Sequence, residues 1–218
     1  MTPLHLEPSK WVELGTATVS DALDRLGIAG QCLGGLPLEP SMAFAGAAFT
    51  VRYGPCGVER GTVGDYIDDV PTGGVVSLDN GGRMDATVWG DILTEVAHGN
   101  DLAATVIDGI CRDTAVAREL RYNLYSCSHW MRTGKDRVQV EAIEAVVKIG
   151  GVRVAPGDWL LGDADGVIAV PADRTLELFD VAQSIHEAEE RIRTLVREGS
   201  SLVDARSEVG YHSLQSRG

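Results

Sequence analysis

Lysine is scarce in this chain. Lys10, Lys135 and Lys148 are the three that occur, so chemistry that needs a lysine Schiff base has little to draw on. Of these, Lys148, in AVVKIGG, falls in a strand-like run with no neighbour to lower its pKa, and a solvent-facing strand residue is its plain reading. Cysteines are few and far apart. Cys32, Cys56, Cys111 and Cys127 form no CxxC pair, which argues against a disulfide framework or a zinc knuckle and leaves free, partly buried thiols. No run approaches the roughly 18 apolar residues of a membrane span. The beginning, MTPLHLEPSKW, lacks the basic start and apolar stretch of a signal peptide, so a cytoplasmic protein with no membrane partner is expected. Basic charge is short as well: 19 Lys and Arg stand against 32 Asp and Glu, net −13, which excludes nucleic acid as a natural partner.

What is present is a core. With 218 residues, 44% of them apolar, the chain can bury a sizeable interior. Thr18 and Asp21 in TATVSDALDRLG have the spacing of a weak capping box, and Gly27 closes a short first helix. Ala29 to Pro40 reads as loop, AAFTVRY as a strand, and Gly54 to Gly74 as a glycine-rich connection. The pattern then becomes regular. VVSL, AATVID and NLYSCS read as short apolar strands alternating with the helices DILTEVAH, closed by Gly99, and TAVAREL. That alternation predicts a parallel sheet with helices on both faces and right-handed crossovers.

Further on, VEAIEAVVKIGGVRVAPGDWLLGDADGVIAVP carries the turn signals Gly150-Gly151, Pro156-Gly157 and Asp165-Gly166, which predict antiparallel strands. Asp173 then caps a long helix with Leu178, Ala182, Ile185, Ile192 and Val196 on its apolar face, ended by Gly199. The expectation is one α/β domain over residues 1–218. It has a mixed, mainly parallel central sheet with flanking helices, an antiparallel β portion, and a helical extension from about residue 172.

Two polar clusters occupy the same place in successive strand–helix units. Gly90-Asp91 opens one helix and Arg112-Asp113 the next, Arg112 standing 21 residues after Asp91. Both therefore fall at the carboxyl edge of neighbouring parallel strands, where open α/β sheets bind ligands. Free N–H groups at the start of the Asp91 helix suit a carboxylate, the planar fork of Arg112 suits a second anionic oxygen, and Asp113 suits a divalent cation. With few protein oxygens and no histidine cluster, Mg²⁺ or Mn²⁺ keeping several waters fits better than zinc. Taken singly, each aspartate also stands where a helix N-cap belongs, and Arg112 could pair with Asp108; the conjunction of the three points to chemistry. The remaining signals are weak. His5, His98, His129, His186 and His212 show no metal-ligand spacing, and GDADG lacks the later glutamate of a calcium loop and reads as a turn. Trp89 is either a pocket wall or a core residue, and Arg83 and Asp85 precede it in a loop that could face substrate.

WGDILTEVAHGNDLAATVIDGICRD resembles the signature of the class II pyruvate aldolase and RraA-like family: a glycine, a spacer of about twenty residues and an Arg-Asp pair. TATVSDAL, GGVRVAPGDWLLGDADGVIAVP and the Glu-rich late helix extend the resemblance over roughly residues 15 to 200. It implies an RraA-like α/β/β sandwich and a metal-dependent lyase that cleaves a 4-hydroxy-2-oxo acid to pyruvate and a second oxo compound. Oxaloacetate decarboxylation through the same enolate is implied with it. Carried over by motif position, the resemblance implies Asp113 as the metal anchor and Arg112 on the pyruvyl oxygens. It implies Asp91 positioning or deprotonating a metal-bound water, and the amides of Ile92 and Leu93, following Gly90, receiving the substrate carboxylate.

Family members are trimers or pairs of trimers with sites between subunits, which implies a homotrimer or homohexamer and an acid supplied by a neighbour. Asp21, standing where the aldolases have a Glu in their first helix, and Glu187 or Glu189 in the late helix are the residues so implied. The family also holds RraA itself, which inhibits an RNA-degrading endonuclease through protein contacts. A non-catalytic regulator of that kind is the competing expectation, although such regulators commonly lack the acidic partner of the arginine, present here as Asp113.

Overall fold

The structure, a computed structural model, describes residues 7–58 and 61–210; His5, His212 and the opening MTPLHL lie outside them. Helix α1 (Pro8–Leu26) starts with a proline in its first turn and ends on Gly27, left-handed at φ 65°. It is broken at Gly15 (φ 78°), and beyond the break Thr16 donates its N–H and its hydroxyl to the Asp163 carboxylate at 2.7 and 2.6 Å. The capping box at Thr18 and Asp21 is therefore corrected. Thr18 is buried inside a helix that begins well before it, and the break is capped by a residue distant in sequence.

The strands follow as β1 (Gln31–Cys32), β2 (Leu36–Pro37), β3 (Phe44–Pro55) and β4 (Val75–Thr87). After helix α2 (Asp91–Gly99) comes β5 (Ala104–Cys111), and after helix α3 (Thr114–Glu119) come β6 (Leu124–His129), β7 (Val138–Ile143), β8 (Val147–Ile149), β9 (Val152–Val154), β10 (Trp159–Asp163) and β11 (Gly166–Val170). Helices α4 (Thr175–Arg197) and α5 (Leu202–Val209) complete the described residues. Nine of these strands form one sheet, in the order β1-β11-β10-β3-β4-β5-β6-β2 with β7 added against β3. Its centre, β3 to β6, is parallel and its flanks are antiparallel, as the alternating pattern and the later turn signals require. The hairpin β8–β9 stands apart as a small antiparallel sheet.

Alternate residues of the parallel strands feed two cores. On one face Val76, Leu78, Ile107 and Leu124 pack with Trp89 beneath α2 and α3. On the other, Val75, Ala104, Val106 and Tyr125 meet Val147, Ile149 and Val154 of the hairpin. The expected second layer of helices is thus replaced over these strands by a β-hairpin whose own alternation supplies the apolar cover. Helices α1 and α4 cover the antiparallel flank instead, around Trp11, Leu23, Leu161, Ile168 and Ile185.

Two details differ from the sequence expectation. Asp173 lies in a 3-10 turn (Ala172–Arg174) ahead of α4 and does not cap it, and Val196 is 43% exposed while Leu195 turns inward. Strand β4 also runs well past VVSL, because Gly81 and Gly82, at φ 62° and 68°, shift its register against β5 and let pairing resume at Arg83 and Thr87. No helix among the described residues is long and apolar enough to cross a membrane.

Candidate active site

The carboxyl edge of β4 and β5 holds a cavity of about 390 Å³, and Gly90, Asp91, Ile92, Leu93 and Arg112 all line it. Two parallel strands, each running into a helix, bring these residues together as the repeat spacing implied. The main chain joins the two units directly, since Arg112 N–H donates to Trp89 O at 3.0 Å. Gly90 is the closest approach. A Cβ there would lie 2.8 Å from Asp113 Oδ2 and 3.2 Å from Arg112 Nε, so the pair packs against bare backbone. Arg112 Nε stands 3.1 Å from Asp113 Oδ2, and both side chains keep over a third of their surface open, at 39% and 38%. The alternative pairing of Arg112 with Asp108 is not what forms.

The capping alternative also resolves. Gly90, extended at φ −151°, is the N-cap of α2, and Asp91 is its first helical residue. Helix geometry leaves the first-turn amides without intrahelical acceptors. Asp91 Oδ1 takes the one from Ile92 N–H, at 2.9 Å, whereas the Ile92 side chain stays 73% exposed. Asp113 holds the position before α3 in the left-handed region (φ 54°) and makes no side-chain cap; its carboxylate goes to Arg112. Trp89 is both things that the sequence allowed. It is 2% exposed in the core and it lines the cavity, with Nε1 donating to Thr94 Oγ1 at 2.8 Å and the ring stacked on Tyr122.

Sequence reasoning missed two loops. Gly61 to Asp65 forms one wall, fixed by Tyr53, whose hydroxyl donates to Val63 O at 2.5 Å, and by Gln139 Oε1, which accepts from Gly61 N–H. Thr133, Gly134 and Lys135, between β6 and β7, form another. Lys135 makes no ion pair among the described residues, unlike Arg83, tied to Asp85, and Arg118, tied to Glu39. A glycine-flanked lysine just past the end of a central strand was the available signal. Arg83 and Asp85 engage each other at 2.9 Å and do not line the cavity.

The three remaining acids lie elsewhere in the chain. Asp21 is on α1, which packs on α4, β3, β10 and β11. Glu187 accepts from Gln183, and Glu189 pairs with Arg193 at 3.2 Å beside α5. None of the three lines the Arg112 cavity. Lys148 is an exposed residue of β8, GDADG is the β10–β11 turn, and all four cysteines are free, with burial pushing the Cys32 thiol up to about 12.

Asp113 does not itself line the cavity; its carboxylate stands behind Gly90 and against Arg112, whereas Asp65 and Asp91 do line it. Among the described residues no three His, Cys, Asp or Glu side chains gather into a cage. Carboxylates this sparse suit a hard cation that keeps its waters and takes the remaining ligands from a substrate, as Mg²⁺ or Mn²⁺ does.

The sequence model of a family described as "RraA-like: Aldolase/RraA" matches residues 16–169. The chain is 37% identical over 204 residues to "Protein DlpA" of Legionella pneumophila; the match covers 92% of this chain and 33% of that protein, so the chain spans a third of its length. It is 27% identical over 179 residues to a protein of Halalkalibacterium halodurans named "Putative 4-hydroxy-4-methyl-2-oxoglutarate aldolase", covering 81% and 83% of the two chains. Among solved structures, Streptomyces coelicolor RraAS2, described as an unusual member of the RNase ES inhibitor RraA protein family, superposes with a TM-score of 0.79 at 25% identity. That match covers 85% of this chain and 96% of the other.

Proposed function

The chain belongs to the RraA-like, Aldolase/RraA family, and from that premise we propose that it is a divalent-metal-dependent lyase that cleaves a 4-hydroxy-2-oxo acid to pyruvate and a second oxo compound. One observation carries the reading: Arg112 and the start of α2 line one cavity, and the Asp113 carboxylate meets them behind Gly90. Asp113 would hold the Mg²⁺ or Mn²⁺ ion, which when bound supplies Lewis-acid polarisation of the 2-oxo group.

The chain's own residues supply the rest. The α2 amides, Leu93 among them, receive the substrate carboxylate. Arg112 presents its guanidinium to the pyruvyl oxygens, where negative charge grows as the C3–C4 bond breaks and its electron pair passes into the enolate. Asp91, through water, takes the C4 hydroxyl proton, so that C4 leaves as a carbonyl; a proton returned to C3 completes pyruvate. Lys135, in the lining of the same cavity and without an ion pair among the described residues, suits a second carboxylate on the same substrate. The same enolate forms when oxaloacetate loses CO₂, so decarboxylation accompanies the aldol cleavage. In this reading the chain assembles as a trimer or a pair of trimers, with Asp21, Glu187 and Glu189 as candidates for the acid that a neighbouring copy brings.

Pyruvate release from oxaloacetate and from a panel of 4-hydroxy-2-oxo acids, with EDTA and after restoring Mg²⁺ or Mn²⁺, tests this. Turnover that EDTA abolishes and metal restores supports it. The likeness to RraAS2 favours a second reading, a regulator of RNA degradation that acts through protein contacts, and turnover absent under every metal would choose it.

A further inference from the structure

We propose that Arg137, which lies outside the cavity lining, is a positioning residue for Lys135 and thereby sets the preference for a substrate with two carboxylates; this rests on the oxo-acid reading of the site. The segment from Arg132 to Arg137 is a strap whose main chain is hydrogen-bonded at almost every position. Thr87 donates both its N–H and its hydroxyl to Arg132 O, each at 3.0 Å. Gly134 lies against the same β4 residue so closely that a Cβ would fall 2.2 Å from Thr87 O. Gly134 O accepts from Arg137 N–H and Val138 N–H, each at 2.9 Å, and Lys135 N–H donates to Thr133 Oγ1 at 3.2 Å. The carbonyls of Thr133 and Lys135 both accept from Arg137 Nη1, at 3.2 and 3.1 Å.

Arg137 thus closes the strap by gripping the backbone on either side of Gly134. One guanidinium nitrogen carries two N–H donors, one for each carbonyl. The arrangement fixes the backbone of Lys135, a residue that lines the cavity and whose ammonium has no ion pair among the described residues. Anchoring its backbone lowers the cost of engaging a second carboxylate, since the ordering of the loop is complete before the ligand arrives.

The test is calorimetric titration, with Mg²⁺ present, of a two-carboxylate probe, 2-oxoglutarate, and a one-carboxylate probe, pyruvate. Loss of one charge-assisted contact corresponds to roughly tenfold in affinity. Lys135→Ala and Arg137→Ala should each weaken 2-oxoglutarate by about that factor and leave pyruvate unchanged, and the double variant should lose no more than either alone. Arg137→Lys, which keeps a donor, should recover part of the loss. Arg137→Ala that weakens both probes alike, or neither, overturns the proposal while leaving the site reading intact. If the wild type binds neither acid, the oxo-acid reading fails, and amide exchange then decides the hold on the strap. Faster exchange over residues 133–138 in Arg137→Ala supports that hold, and unchanged exchange overturns it.

Discussion

Gly90-Asp91, Gly157-Asp158 and Gly162-Asp163 are alike in the sequence, but the two regions that contain them use the carboxylate in opposite ways. On the antiparallel flank the acid is consumed by the frame. Asp158, buried, accepts from Ala155 N–H at 2.7 Å and Ala172 N–H at 3.0 Å, and Asp163 accepts from Thr16 twice and from Asp165 N–H at 2.9 Å. At the edge of the parallel strands the acid is underused. Asp91 holds one amide of its own helix, and Asp113 holds only the neighbouring Arg112. Saturated carboxylates pin chain segments that meet from far apart in sequence, whereas half-open ones keep lone pairs free for a ligand of the proposed kind. The contrast gives each aspartate a distinct consequence on removal.

The largest effect belongs to the open edge. Arg112→Ala and Asp113→Asn should each lower pyruvate release by about 10³-fold, the scale for loss of a preorganised group that faces developing charge. Neither should move the melting temperature appreciably, because both side chains are more than a third exposed. Coupled pyruvate detection and scanning calorimetry on the same samples check it. A large fall in stability would place this pair with the frame and erase the distinction.

Gly90→Ala sharpens the same comparison by geometry alone. The glycine has ordinary extended backbone, so the added methyl acts only through the 2.8 Å approach to Asp113 Oδ2 and the 3.2 Å approach to Arg112 Nε. Displacement of the pair by a fraction of an ångström should cost roughly 10²-fold in kcat, read in the same assay. Next comes the frame. Asp163→Ala strips the acceptor from the buried Thr16 and from the break in α1, and should cost about 2 kcal/mol of unfolding free energy in a denaturant titration, with turnover of the folded protein unchanged.

This distinction was only half legible in the sequence. The convergence of Gly90 with Arg112 was readable because strand and helix periods fix which ends of a βα unit share a sheet edge. The strap that carries Lys135 has no periodicity, and what orders it is a set of hydrogen bonds to Thr87 and from Arg137. The start of α1 escaped for a similar reason. The helix begins before Gly15, and the break there is tolerated because Asp163, distant in sequence, satisfies the amide that follows it. Likewise, the hairpin that replaces a helical layer is decided by whether Val147, Ile149 and Val154 find an apolar partner across the sheet, which local pattern does not state.

The smallest expected effect tests an acid that belongs to neither group. Asp79 and Asp108 are direct partners across β4 and β5, and Asp108 is 8% exposed. Asp79 has its own donors, Gly81 N–H at 3.0 Å and Lys148 N–H at 2.9 Å. Burial first, and then the charge of Asp79, raise the Asp108 carboxyl above its ordinary range, against the opposing pull of Lys148 and the Gly150 backbone N–H. A raised folded value means that the native state holds this proton more tightly than the unfolded chain does. The stabilisation is therefore complete below the unfolded value, near pH 4, and is lost as pH rises through the folded one. At pH 7 to 8 the native state carries a charge that Lys148 and the Gly150 N–H offset only in part, so Asp108→Asn, which keeps the shape and removes the charge, should melt a few degrees higher there. Its advantage should shrink as pH falls towards about 4, where the wild-type carboxyl is itself neutral. Melting both proteins from pH 3.5 to 8 decides the matter. An asparagine variant that melts lower at every pH would show that the Asp108 carboxylate is held by its neighbours as firmly as Asp158 and Asp163 are, and that the parallel edge also spends an acid on its frame.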